Sequence, residues 1–156
     1  MNDFEISLIE EKDTPEVLNI NNLCFNPPWS LESLQNEIKN NFSKYIVLKK
    51  KNKVIGYAGI WLIIDEAHIT NIAVHPDYRN IGCGNILMDE VINLCKQRNV
   101  PSITLEVRFN NTPAINLYKK FGFIEEGLRK NYYEDNIDAL VMWKRDVLSS
   151  TNFFNQ

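Results

Sequence analysis

The sequence predicts a mixed β-sheet with helices on both faces, an α/β or α+β sandwich. Segments of β-type alternation interleave with segments of helical period in the order β, α, α, β-hairpin, then β, α, β, α, β, β. One of those strands runs into a glycine-containing loop that opens directly into an amphipathic stretch. The 156 residues, 44% apolar and 24% charged, can bury a core without a metal or a disulfide. They point to one domain over residues 1–148 and a flexible tail over 149–156.

Asp3 to Leu8 alternates loosely and reads as the first strand. Thr14 or Asp13 caps a helix that begins with Pro15, a favoured first-turn residue, and shows Val17, Leu18, Ile20 and Leu23 on its apolar face. Asn26-Pro27-Pro28 breaks it. Ser30 opens a second helix, with Leu31, Leu34 and Ile38 at helical spacing. Tyr45 to Leu48 and Val54 to Ile64, the latter interrupted by Gly56 and Gly59, form a hairpin around Lys49 to Lys53. The four lysines of that turn are either a phosphate or RNA patch or a solvated tip.

Ala67 to Val74 is the next strand, and His75-Pro76-Asp77 ends it because proline removes a ladder donor. A helix spans Asn85 to Arg98 with Ile86, Leu87, Val91, Ile92, Leu94 and Cys95 as its buried stripe. Ile103 to Val107 alternates as a strand. Asn110 to Pro113 starts another helix, which carries Ala114, Leu117, Tyr118 and Phe121 along one face and ends at Gly122. Phe123 to Gly127 and Ala139 to Lys144 are the last two strands.

The formal charge of −3 argues against general nucleic-acid binding, which needs a basic footprint. Cys24, Cys83 and Cys95 are odd in number and fit no zinc spacing, and His68 and His75 do not complete a site with them, so no metal is expected. Reduced thiols, a polar acidic start and the lack of a ~20-residue apolar run indicate a cytoplasmic protein with no membrane contact.

The chemistry concentrates between Ile72 and the following helix. A strand, a glycine loop and a helix N-terminus form an anion cradle, because the first helical N–H groups lack partners and the helix dipole is positive there. Gly82 and Gly84 permit close backbone approach or positive φ, and Arg79 adds charge. The loop lacks the three-glycine Rossmann spacing and the Gly-Lys-Ser/Thr of a Walker motif. Taken alone, it is equally a loop that merely turns the chain.

Arg79-x-x-Gly82-x-Gly84 after Ile72-Ala73-Val74 resembles the coenzyme A motif of the GNAT superfamily of N-acetyltransferases. That resemblance implies a GNAT fold: a mostly antiparallel mixed sheet with a splayed cleft that takes acetyl-CoA as co-substrate. Ile72, Ala73 and Val74 would bond the acetyl-pantetheine. Arg79, Asn80, Ile81, Gly82, Cys83, Gly84 and Asn85 would surround the pyrophosphate. Asn80 departs from the pattern, since relatives often carry a basic residue there.

Pro28-Trp29-Ser30, Leu105-Glu106-Val107-Arg108, Asn111, Leu117-Tyr118 and Arg129-Lys130-Asn131-Tyr132-Tyr133 resemble, more narrowly, the ribosomal-protein-alanine acetyltransferases. Their usual acceptor is the N-terminal alanine of the eighteenth small-subunit ribosomal protein. By this resemblance Glu106 is the general base, Tyr118 the general acid beside the thioester sulfur, and Asn111 a pantetheine contact. Trp29, Tyr132 and Tyr133 would wall the peptide site of a monomer or weak dimer.

Residue chemistry fits those roles. An α-amine with pKa near 7.7–8.0 is largely ammonium at neutral pH and must lose a proton before attack. Thr104, Glu106 and Arg108 share a strand face opposite Leu105 and Val107. Plainer readings stand beside each assignment: Glu106 as a surface carboxylate paired with Arg108 or a lysine, Tyr118 as a core tyrosine, Asn111 as a helix N-cap, and the aromatics as packing. Glu66 is a second candidate base. Cys83, near a helix N-terminus, suggests a ping-pong route only weakly. An acetyltransferase for small amines or lysine side chains, and a non-catalytic acyl-CoA-binding module, are the alternatives.

Overall fold

A computed structural model describes residues 3–25 and 27–149. The expected break at Asn26 and the tail beyond Ser149 lie outside the described residues. Seven strands form one sheet: β1 (Phe4–Leu8), β2 (Ser43–Lys50), β3 (Lys53–Ile63), β4 (Glu66–Val74), β5 (Ser102–Arg108), β6 (Ile124–Arg129) and β7 (Ala139–Lys144). Their spatial order is β1-β2-β3-β4-β5-β7-β6. Every neighbouring pair is antiparallel except β4 with β5. This is the mixed sheet that the element order predicted, and mostly antiparallel as the resemblance implied.

Two helices cover each face. α1 (Thr14–Cys24) and α2 (Leu31–Lys39) pack Val17, Ile20 and Leu34 on Tyr45, Val47, Val54, Tyr57 and Ala73. α3 (Cys83–Gln97) and α4 (Thr112–Lys120) pack Leu87, Val91, Ile115 and Tyr118 on the other face, over Ile55, Ile60, Ile69, Ile103 and Leu105. Alternation along each strand sorts the two cores: Val54 faces one and Ile55 the other. Among the described residues no helix is long and apolar enough to cross a membrane.

Local chemistry fixes the boundaries. Ser30 caps α2, its Oγ accepting the Ser33 N–H at 3.1 Å. Asp13 occupies the N-cap position of α1 but serves the preceding turn instead. Its carboxylate accepts the Glu10 N–H at 2.9 Å and pairs with Lys49 Nζ at 2.8 Å. Lys49 is therefore structural, and the lysine-rich turn is only partly a free tip. The turn itself is the two residues Lys51 and Asn52, both at positive φ (52° and 66°), which matches the twist of the flanking strands.

Two predicted boundaries are corrected. α3 starts at Cys83, not Asn85, because Gly82 at φ 92° turns the chain straight into the helix. Its stripe also includes Met88, which is fully buried. β6 runs on to Arg129, because Gly127 follows a bulge after Glu125 and does not end the strand.

Candidate active site

The cleft arises where two parallel strands part. β4 and β5 pair through only four positions, Glu66↔Ser102 to Ile69↔Leu105. Beyond Ile69 they separate. The cause lies on the other side of β4, where Asn71 opposes Gly59 but Ile69 opposes Ile60, which leaves Thr70 as an inserted residue. Its hydroxyl donates to Gly59 O at 3.2 Å. Such a bulge bends the strand and raises its twist. Ile72, Ala73 and Val74 keep β3 on one side and have no strand partner on the side facing β5. No strand covers that edge, where the Val74 carbonyl accepts from the Arg79 and Cys24 side chains.

The loop after β4 leads into a helix N-terminus. Asn80 (φ 64°) and Gly82 (φ 92°) both sit in the left-handed region, and asparagine is one of the few residues with a side chain that adopts it readily. The first intrahelical bond of α3 is the Ile86 N–H to Gly82 O at 3.2 Å, so the amides of Cys83, Gly84 and Asn85 precede it. These free donors and the positive end of a 15-residue helix suit a pyrophosphate.

Gly82 is required by its φ. Gly84 has a different reason from the one predicted: a Cβ there would lie 3.1 Å from Leu117 Cδ2, so it permits α3 to approach α4. Arg79 turns back onto the strand, with Nε donating to Val74 O and a terminal nitrogen reaching Cys24 Sγ, both at 3.2 Å. Ile81 is exposed. Cys83 is buried in the α3–α4 core, and burial pushes its thiol up, contrary to the acidification that a helix N-terminus suggested.

Glu106 lies on the opposite sheet face from Leu105 and Val107, as alternation requires, with its side chain 10% exposed. One oxygen is 2.7 Å from His68 Nε2 and the other 3.9 Å from Arg129 Nε. The His68 hydrogen bond outweighs burial, and with Arg129 and the Tyr132 hydroxyl it holds this carboxyl below the usual range. The sequence around His68 carries no motif that marks this contact. The available signal was period two: His68 and Thr70 alternate with buried Ala67 and Ile69. The parallel register that brings His68 to Glu106 was not readable.

Tyr132 and Tyr133, on the β6–β7 connection, meet edge to face at 5.1 Å. The Arg108 guanidinium lies 4.4 Å from the centre of the Tyr133 ring and pairs with Asp135 at 2.7 Å, not with Glu106. Trp29, on the α1–α2 connection, is half-buried and 6.4 Å from Tyr45. Its N–H is fixed by Asn21 Oδ1 at 2.9 Å.

Tyr118 comes from the other face, 5% exposed and 6.0 Å from Phe123. Burial, and then the nearby Tyr133 hydroxyl, raise its phenol above the usual range. Tyr133 is itself pushed up to about 12 by burial, with Tyr132 and Glu106 adding to the rise. Tyr133 thus lies close enough to feel Glu106 and to act on Tyr118. Asn111 caps α4, its Oδ1 accepting the Ala114 N–H at 3.2 Å. Glu66 begins β4 at the paired end, away from the part that splays.

Known proteins resemble this chain in sequence and in fold. The acetyltransferase (GNAT) family matches residues 14–123. A putative ribosomal protein bS18-alanine N-acetyltransferase of Bacillus subtilis is 43% identical over 134 residues, 85% of this chain and 89% of that one. The ribosomal protein bS18-alanine N-acetyltransferase of Escherichia coli is 36% identical over 143 residues, 88% of this chain and 94% of that one. The crystal structure of the Escherichia coli ribosomal-protein-S18-alanine N-acetyltransferase superposes with a TM-score of 0.84 at 34% identity, covering 90% of this chain and 92% of that one. The chain therefore belongs to the acetyltransferase (GNAT) family, within its ribosomal-protein-alanine N-acetyltransferase branch, and is an acetyl-CoA-dependent acetyltransferase.

Proposed function

We propose that this enzyme transfers acetyl from acetyl-CoA to the α-amine of the N-terminal alanine of ribosomal protein bS18. The relatives that cover most of the chain carry that activity in their names. The observation that carries the reading is the unpaired edge of β4 opening beside a hydrogen-bonded Glu106. An acyl-pantetheine arm along Ile72–Val74, with its pyrophosphate on the amides of Cys83 to Asn85, would set the thioester next to that carboxylate. Arg79 would swing from Val74 O to the phosphates, and Asn80 and Ile81 would line the loop. Asn111 would add a pantetheine contact from its amide nitrogen, leaving its capping oxygen in place.

In this reading Glu106 takes the proton of the incoming ammonium, directly or through one water. The free amine attacks the thioester carbonyl, the C–N bond forms, and the oxyanion meets strand amides near Val74. The carbon–sulfur bond then breaks. Tyr118, kept protonated by burial, donates to the departing sulfur. Trp29, Tyr132 and Tyr133 would hold the peptide, and the enzyme would act as a monomer or weak dimer.

The test is incubation with acetyl-CoA and a short peptide beginning Ala-Arg, followed by mass spectrometry, beside a control peptide with a blocked α-amine and a free lysine. Acetylation of the first alone is expected. Acetylation of the control, or of small polyamines in preference to either peptide, would replace the acceptor assignment.

A further inference from the structure

Glu106 is mostly buried, yet as a base it must shed a proton at every turnover. Its neighbours differ in what they can accept. Arg129 holds a permanent positive charge. The Tyr132 phenol, whose own pKa is raised by burial and then by Glu106, stays protonated at neutral pH. An imidazole is the side chain that gains and loses protons in that range. His68 Nε2 lies 2.7 Å from Glu106 Oε1, and its side chain is 32% exposed against 10% for Glu106. Trp61 fixes the ring edge-on at 5.9 Å and 80°, and Trp61 Nε1 is held in turn by Glu37 of α2. The charged and titratable groups around the pair are thus Arg129, Tyr132 and Tyr133 on the Glu106 side and Glu37 behind Trp61.

We propose that His68 is the proton outlet of the site: Glu106 passes the amine's proton to His68, which releases it to water. The inference rests on the reading of Glu106 as base. While Glu106 is ionised, Nε2–H of His68 donates to it. Once Glu106 carries the amine's proton, exchange with water moves the ring hydrogen to Nδ1 and Nε2 accepts. The O–H bond of protonated Glu106 breaks, the Nε2–H bond forms, and the imidazolium loses its Nδ1 proton to solvent. That leaves Nε2–H donating to ionised Glu106, the resting arrangement. No other reactant is consumed.

The experiment compares the parent with His68→Gln, His68→Ala and Glu106→Gln, using acetyl-CoA and the alanine-starting peptide. Glutamine presents a side-chain N–H near the place of Nε2 and can hold Glu106, but it cannot carry a proton. Both His68 variants should lose kcat by on the order of tenfold or more, with peptide KM within about twofold. Added imidazole should restore part of the loss in His68→Ala and none in Glu106→Gln. A His68→Gln enzyme with parental kcat and pH profile would reduce His68 to a positioning role and overturn the relay. So would a folded His68→Ala enzyme that imidazole does not rescue. Parental activity in Glu106→Gln would instead remove the base on which the relay depends, which separates the two failures.

Discussion

The ring of Tyr45 occupies the space above Gly59 that a side chain would need. The two residues are directly opposite on β2 and β3, and a Cβ on Gly59 would lie 2.5 Å from Tyr45 Cζ and 2.9 Å from its hydroxyl oxygen. The ring stacks on Tyr57 at 6.4 Å and tilts against Trp29 at the same distance, and its hydroxyl reaches Asn71 Oδ1 at 3.4 Å. Gly59 is thus the place where the α1–α2 core meets the bulged strand of the cleft.

Gly59→Ala should displace that ring and transmit the shift to Trp29 and Asn71. Forcing a methyl into a packed core costs about 1–3 kcal/mol. At this chain length each kcal/mol lowers Tm by roughly 2–4 °C. Thermal unfolding measures the loss, and a rise in peptide KM measures the disturbed wall. An unchanged Tm would mean that the ring moves freely and does not brace the cleft.

Glu106→Gln keeps the size of the side chain and removes its ionisation. kcat/KM should fall by about 10²–10⁴-fold while coenzyme A affinity by calorimetry stays the same. His68 holds the Glu106 carboxyl below its usual range, so the base is ionised throughout neutral pH. The rate should therefore climb with pH up to the acceptor amine's pKa of about 7.7–8.0, without a carboxylate limb above about pH 5. The stability consequence has a definite sign. A depressed carboxyl pKa contributes stability above the unfolded value, about 4.3, and loses it as pH falls through the folded value. The Tm gap between parent and Glu106→Gln should narrow from pH 7 to below pH 4.

Local patterns made the fold legible. Period-two runs marked the strands, Ser30 and Pro113 marked helix starts, and Gly122 marked an end. The splay was implied only by the resemblance, because its physical cause, Thr70 inserted opposite a regular stretch of β3, is a pairing property that no single segment displays. Glu106 and Tyr118 were singled out, but the partners that set their chemistry were not. His68, Arg129 and Tyr133 approach from β4, β6 and the β6–β7 connection, and only the sheet order β4-β5-β7-β6 brings them together. The Glu106–Arg108 pairing weighed from sequence gave way because Arg108 stacks on Tyr133 and pairs with Asp135.

The two loop glycines should fail differently. Gly82→Ala meets no atom within 4 Å but must hold φ 92°, which costs about 1–2 kcal/mol and distorts the amides that open α3. Gly84→Ala presses on Leu117 Cδ2, the flexible end of a side chain that can shift. Calorimetry with coenzyme A should show weakened binding for Gly82→Ala and near-parental binding for Gly84→Ala, whose effect is confined to a small drop in Tm. The reverse order would place the pyrophosphate against Gly84 and not on the amides that Gly82 orients.

Tyr118→Phe removes one oxygen and leaves the ring on Phe123. Stability should change by about 1 kcal/mol or less, the usual net worth of a hydroxyl's hydrogen bonding. If the phenol protonates the departing sulfur, kcat should fall by about 10²-fold with peptide KM nearly constant, since the interaction forms only as the carbon–sulfur bond breaks. Burial raises this phenol, so the parent should show no alkaline loss of activity from Tyr118 up to about pH 10. Rapid-quench measurement of the acetyl-transfer step, compared with steady-state turnover, places the defect. A slowed chemical step with an unchanged product-release rate supports the acid role. An unchanged chemical step would return Tyr118 to the core it packs in and leave the thiolate to take its proton from water.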